Sequence, residues 1–230
     1  MGVTGTPSGT ITNITQGSLT LTYIGTAESV TTATSFDFGN FSAASSGLMI
    51  VVVVGRADNS PTISSISIGG TNGTVIDMTT LGLGANSLTG WGYRQVSSGL
   101  NDVTVTFSGS TGTNTAVAVG VWLLTGNVND TPYAYDIIET QAVTTASLSH
   151  GAAPKSVTLF AAVGKGTADE TINSFSGATA EAADDEIGAS GRHRRFARYE
   201  NATAAQVNRT ETVTFSGTAN NHMFMLASWV

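Results

Sequence analysis

One hexapeptide occurs twice in the chain. Thr104-Val105-Thr106-Phe107-Ser108-Gly109 returns unchanged as Thr212-Val213-Thr214-Phe215-Ser216-Gly217, 108 positions further on. Other pairs lie at nearly the same spacing. Val54-Gly55-Arg56 matches Val163-Gly164-Lys165, and Thr62-Ile63 matches Thr171-Ile172, both at an offset of 109. Trp122 matches Trp229 at 107, and Val30-Thr31-Thr32-Ala33 matches Val143-Thr144-Thr145-Ala146 at 113. Five colinear matches mark a duplication. The copies run over about 21–126 and 133–230, with a turn at Asn127 to Pro132 between them. That connector is short, and the chain ends on an apolar strand, Met223 to Val230. We therefore expect one domain, residues 21–230, made of two related halves.

The local signals are those of strands. Short β-branched or aromatic runs alternate with Gly, Ser, Asn and Asp turns. Examples are Leu19 to Ile24, Ser35 to Phe41, Thr62 to Ile68, Val103 to Phe107 and Ala116 to Leu124. The longest apolar run, Leu48 to Val54, has the length of a central strand buried on both faces. A membrane helix needs roughly 20 such residues. A short helix fits only at Ala178 to Ile187. The expected fold is all-β: a two-layer antiparallel β-sandwich, jelly-roll-like, with an internal duplication. Residues 1–20 lack the apolar content to pack a core and read as an extended arm. Such an arm is either a floppy terminus or a segment that orders against a neighbouring subunit.

Composition excludes several partners. Charged residues are 11 % of the chain, against a typical ~25 %. Nine basic residues face sixteen acidic ones, for a net charge of −7. Phosphate recognition needs clustered Lys and Arg, so neither nucleic acid nor an anionic membrane is an expected partner. There is no Cys, which removes disulfides and thiolate metal sites. Stability must come from packing or oligomerisation, and a homo-oligomer is expected. Met1 to Thr20 has neither a basic start nor an apolar h-region, so no export signal is expected. A polar, weakly charged surface on a chain made in the cytoplasm suits a particle assembled inside a cell and released by lysis.

The order of turns and strands resembles a known group. Ser46-Gly47 leads into the buried run ending at Val54, and Ile66-Ser67-Ile68 ends in Gly69-Gly70. Trp91-Gly92-Tyr93 follows, then Gly99-Leu100-Asn101-Asp102-Val103 and the repeated hexapeptide. Leu124-Thr125-Gly126 then runs into Asp130-Thr131-Pro132. This resembles β-sandwich virion surface proteins of tailed phages and gene-transfer-agent-like particles. The likeness covers most of residues 21–230. It implies a head decoration protein, head spike or tail-fibre subunit at the virion surface. The arm would contact other virion proteins. Such families share no catalytic set, so the resemblance carries over no site residues.

The chemistry-bearing residues point the same way. A serine hydrolase needs a nucleophile, a histidine base and an orienting acid. His150, His193 and His222 lie near no Gly-x-Ser-x-Gly elbow, and the chain contains none. Carboxylates cluster at Asp169-Glu170 and at Glu181, Asp184, Asp185 and Glu186, spaced as in a solvated loop. Asp184 to Glu186 and Asp58-Asn59-Ser60 lack calcium-loop spacing. No enzyme activity, cofactor or metal is expected.

One strand is basic: Arg192-His193-Arg194-Arg195-Phe196-Ala197-Arg198-Tyr199, aligned with Gly90 to Gln95 of the first copy. Alternation puts Arg192, Arg194, Phe196 and Arg198 on one face and His193, Arg195, Ala197 and Tyr199 on the other. Its arginines can pair with the acidic stretch Glu181 to Glu186, or bind an acidic host polysaccharide through guanidinium forks. Trp91 and Tyr93 share a face and either fill core or stack on sugar rings. The candidate ligand-binding residues are therefore Trp91, Tyr93, Arg194 and Arg198. The corresponding alternative function is a carbohydrate-binding adhesin that contacts host cell-surface polysaccharide.

Overall fold

The computed structural model describes residues 19–230 except 60, 79–85, 127, 141–142, 153–155, 166–170, 182–184, 188–191, 201–205 and 219–220. The first copy supplies β1 (Thr20–Ser29), β2 (Ser35–Ala43), β3 (Gly47–Ala57), β4 (Ile63–Ile68), β5 (Thr71–Asn72), β6 (Thr74–Asp77), β7 (Asn86–Val96), β8 (Gly99–Phe107) and β9 (Ala116–Thr125). The second supplies β10 (Ala134–Thr140), β11 (Thr145–Ala152), β12 (Val157–Lys165), β13 (Ile172–Phe175), β14 (Thr179–Ala180), β15 (Asp185–Glu186), β16 (Arg192–Glu200), β17 (Gln206–Phe215) and β18 (Asn221–Trp229). No helix occurs among the described residues. Within Ala178 to Ile187, the one stretch where a short helix fits the sequence, the described residues hold the short edge strands β14 and β15, both paired with β16. Of the expected arm, residues 1–18 lie outside the described part. Leu19 is buried and Thr20 opens β1.

Each copy closes its own two-layer antiparallel sandwich. In the first, an inner sheet β1-β9-β3-β7-β6 faces an outer sheet β2-β8-β4-β5. In the second, β10-β18-β12-β16-β14 faces β11-β17-β13. The chain crosses between layers after β1, β2 and β3, giving the jelly-roll strand order. The two sandwiches then stack through their inner sheets, so the molecule has four layers rather than two halves of one pair.

The long apolar run explains that stacking. On β3, Leu48, Ile50, Val52 and Val54 enter the core shared by the two halves. Met49, Val51 and Val53 point the other way, into the first half's own core. A strand with two apolar faces must be covered on both. β12 follows the same rule: Leu159, Ala161 and Val163 face the shared core, while Phe160 and Ala162 face the second half's own core. The connector is tied to the last strand. Asn129 N–H donates to Val230 O at 3.1 Å and Tyr133 N–H to Ser228 O at 2.7 Å.

Register shows which repeat matches are structural. Ser108 N–H donates to Thr62 O, and Ser216 N–H to Thr171 O, each at 2.9 Å. The hexapeptide and Thr-Ile matches are thus equivalent positions. Two matches are not. Phe107 N–H donates to Thr34 O and Phe215 N–H to Thr144 O, so Thr34 corresponds to Thr144. That offset is 110, and the Val-Thr-Thr-Ala match at 113 is out of register. Likewise Ile50 lies opposite Trp122 while its equivalent, Leu159, lies opposite Ala227. Trp229 therefore corresponds to Leu124, not to Trp122.

Candidate functional site

The four candidate ligand-binding residues occupy equivalent strands. By register Thr89, Trp91 and Tyr93 on β7 correspond to Arg194, Phe196 and Arg198 on β16. Both strands turn these residues toward the seam between the halves. The contacts there follow an approximate twofold: β7 meets β18, and β9 meets β16. Trp91 and Tyr93 stand edge-on to Trp229, with centroids 6.0 and 6.2 Å away. Trp122 stands edge-on to Phe196 at 5.5 Å. Such edge-to-face pairs stabilise by about 0.5–1.5 kcal/mol beyond their area burial. Gly120 allows the second contact, since a Cβ there would come within 2.7 Å of the Trp122 ring and 3.1 Å of Phe196.

Several polar groups are bonded at the seam, some within a half and some across it. Trp91 Nε1–H donates to Met78 Sδ at 3.2 Å, and Thr89 Oγ1–H donates to Met78 O at 3.0 Å with Met223 Sδ of the other half 3.4 Å from the same oxygen. Arg194, 4 % exposed, is paired with Glu28 of β1 in the other half. Arg198 reaches both oxygens of Glu181 at 2.9 and 3.0 Å. Glu181 also accepts the indole N–H of Trp122 at 3.1 Å. One buried carboxylate thus ties two halves and an edge strand together. Burial, and then the negative charge of Asp130, holds the Tyr93 phenol above its usual range.

This placement corrects the sugar-binding expectation for these residues. Trp91 is fully buried and Tyr93 nearly so. Their ring faces pack on protein, so neither offers a platform for a saccharide. Arg194 and Arg198 spend their guanidinium groups on Glu28 and Glu181. The ion-pair alternative holds for Arg198 and the acidic stretch. Sequence reasoning missed Glu28, a single acid on a strand of another sheet. The outward alternation on β16 was correct: Arg195 turns away from the seam and donates to Ile172 O at 2.8 Å.

The remaining candidates are dispersed. His150, His193 and His222 are all buried in the second half. His222 stacks flat on Phe215 at 3.6 Å, and burial lowers its pKa to about 4. Asp58 accepts hydrogen bonds from Asn114 and Thr113, which lowers its pKa; the Asn114 side-chain bond is the main cause. Asp169, Glu170 and Asp184 lie outside the described residues. Among the described residues no three His, Asp or Glu side chains group as metal ligands.

An open cleft lies elsewhere, at one edge of the first sandwich. It measures about 520 Å³ and sits between β1 and β2, which are edge strands among the described residues. Both strands are bulged there. β1 slips register between Tyr23 and Gly25, and β2 between Asp37 and Asn40. Gly39 takes a φ of 77°, and its N–H is held by Asp37 Oδ1 at 2.8 Å. Thr22, Asn40, Ser42 and Ser45 line the mouth, with Ile24 and Phe41 beside them.

No family model and no curated protein matches the sequence. Among solved structures, the chain is similar to recombinant N-glycanase F (PNGase F), at 8 % identity and a TM-score of 0.30. The alignment covers 92 % of this chain and 96 % of that one. An overlap of that quality carries no argument about activity.

Proposed function

We propose that this chain is a non-enzymatic structural component of a phage-like virion surface, a head decoration or spike protein or a tail-fibre subunit. It self-associates, is attached to other virion proteins through its N-terminal arm, and contacts host surface glycans with its folded part. The observation that carries the reading is where the reactive side chains go. The tryptophans, the buried histidines and most of the described arginines are spent on internal packing. The outward sheet faces carry hydroxyl ladders instead: Ser35 with Thr106 at 3.1 Å, Ser147 with Thr212 at 2.7 Å and Ser149 with Thr210 at 2.8 Å. Such a body suits display better than turnover.

The test is deletion of residues 1–18, which stops short of buried Leu19. The truncated protein should keep its thermal transition and lose attachment to particles assembled without it. Attachment at full occupancy by the truncated protein would overturn the tether. A second reading, a carbohydrate-binding adhesin, is favoured by the β1/β2 cleft, since the seam residues leave no saccharide platform.

A further inference from the structure

We infer that the cleft between β1 and β2 is a binding site for a short, uncharged oligosaccharide. The inference rests on the adhesive part of the reading above and assigns it a place and a ligand class.

The lining chemistry selects the ligand. The protein carries sixteen acidic and nine basic side chains, yet among the described residues no Asp, Glu, Lys, Arg or His lines this cleft. An acidic polysaccharide would find no cation to pair with, and a basic peptide no carboxylate. What the walls offer are hydroxyl and amide groups. Thr26 and Thr125 spend theirs on backbone carbonyls, those of Val119 at 2.7 Å and Thr20 at 3.4 Å. The side chains of Thr22, Asn40, Ser42 and Ser45 make no hydrogen bond among the described residues. All four are exposed at the mouth. They supply donors and acceptors of both senses, as a ligand rich in hydroxyls requires. Below them Ile24 and the buried Phe41, both packed in the first half's own core, form an apolar floor. Apolar floor, few convergent polar groups and a volume within roughly 300–1,000 Å³ are the marks of a small-ligand pocket.

The backbone argues against a peptide in the same place. Strand addition needs a regular edge with N–H and C=O groups in sequence. Both edges here are broken by bulges, which interrupt pairing and guard an edge against it. A saccharide has no such register to satisfy. The bulge on β2 also fixes the turn of chain that leads into Asn40, so the site is built by the same irregularity that blocks strand addition.

The experiment uses the full chain against a panel of neutral glucan, galactan and N-acetylhexosamine oligosaccharides, with uronic-acid and sialylated chains beside them. At least one neutral chain should bind, and the acidic ones should bind no better than their neutral counterparts. Ser42→Trp, which fills the mouth, should weaken binding at least tenfold. Asn40→Ala should weaken it about five- to tenfold, the loss of one hydrogen bond. Both variants should keep the wild-type thermal transition. Three results would overturn the assignment: no neutral chain bound at millimolar concentration by folded protein, binding untouched by both variants, or binding confined to acidic chains or extended peptides. Particle attachment reads the arm and glycan binding reads the cleft, so the two proposals fail separately.

Discussion

The two halves follow one backbone plan and fill it differently. In the first half Gly55 sits between Leu88 and Val117 on neighbouring strands. At the equivalent place in the second half Gly164 sits between His193 and His222. The outer sheets differ in the same sense. Val103 of the first half is a core residue, while its equivalent, Glu211, is buried with a carboxylate. Burial raises the Glu211 pKa, against the pull of Arg209, which itself lies 3.6 Å from the Tyr199 ring. The jelly-roll frame thus tolerates either filling. Backbone pairing and the shared core define the fold. At this place His222 of the second half adds a response to pH that the equivalent Val117 of the first half cannot give.

The seam should show the largest effect, because there the halves behave alike. Trp91→Ala and Phe196→Ala remove equivalent rings, and each should cost about 3–5 kcal/mol in denaturant unfolding. A cost below about 1 kcal/mol for either would break the equivalence.

A smaller effect separates the halves. His222 is held neutral in the fold, with its pKa lowered from 6.5 to about 4. The unfolded chain takes up that proton first, so this contribution to stability is complete above pH 6.5. It is lost as the pH falls toward 4, by at most on the order of 3 kcal/mol. Glu211 acts in the opposite sense, since protonation relieves its burial. His222→Val, which installs the first half's Val117, isolates the histidine. It should flatten the fall in unfolding free energy between pH 6.5 and 4, whatever it does at neutral pH. An unchanged slope would show that His222 does not set the acid response.

The smallest effect should be the same in both halves. Ser108 Oγ accepts the N–H of Thr62 at 3.0 Å, and Ser216 Oγ that of Thr171 at 2.9 Å. Ser108→Ala and Ser216→Ala should each cost about 1 kcal/mol. A difference between them above about 1 kcal/mol would mean that the repeated hexapeptide no longer plays one role.

Much of this architecture was legible in the sequence, for physical reasons. The duplication showed because the hexapeptide holds a corner whose hydrogen bonds depend on those residue types. The central strands showed because a run such as Leu48 to Val54 has no polar face to leave in water. Alternation correctly grouped Arg194, Phe196 and Arg198 on β16. What that face meets was not legible, since the opposing surface belongs to the other half. Sequence offers no sign that Glu28 lies opposite Arg194. The Trp122 and Trp229 pair misled because a shift of two residues keeps a strand's inward face, so either position can carry a large ring. The cleft was invisible for a related reason: it depends on two bulges, and a single glycine at each, Gly25 and Gly39, is all that hints at them.

All three tryptophans, Trp91, Trp122 and Trp229, lie in the shared core at 0 % exposure. Their fluorescence therefore reports on the seam alone, and the most direct test is acrylamide quenching of the native protein. Emission should be blue-shifted and almost unquenched, and neutral oligosaccharide should leave it so. Quenching approaching that of the unfolded chain would mean the rings face solvent, and the fused double sandwich would be wrong.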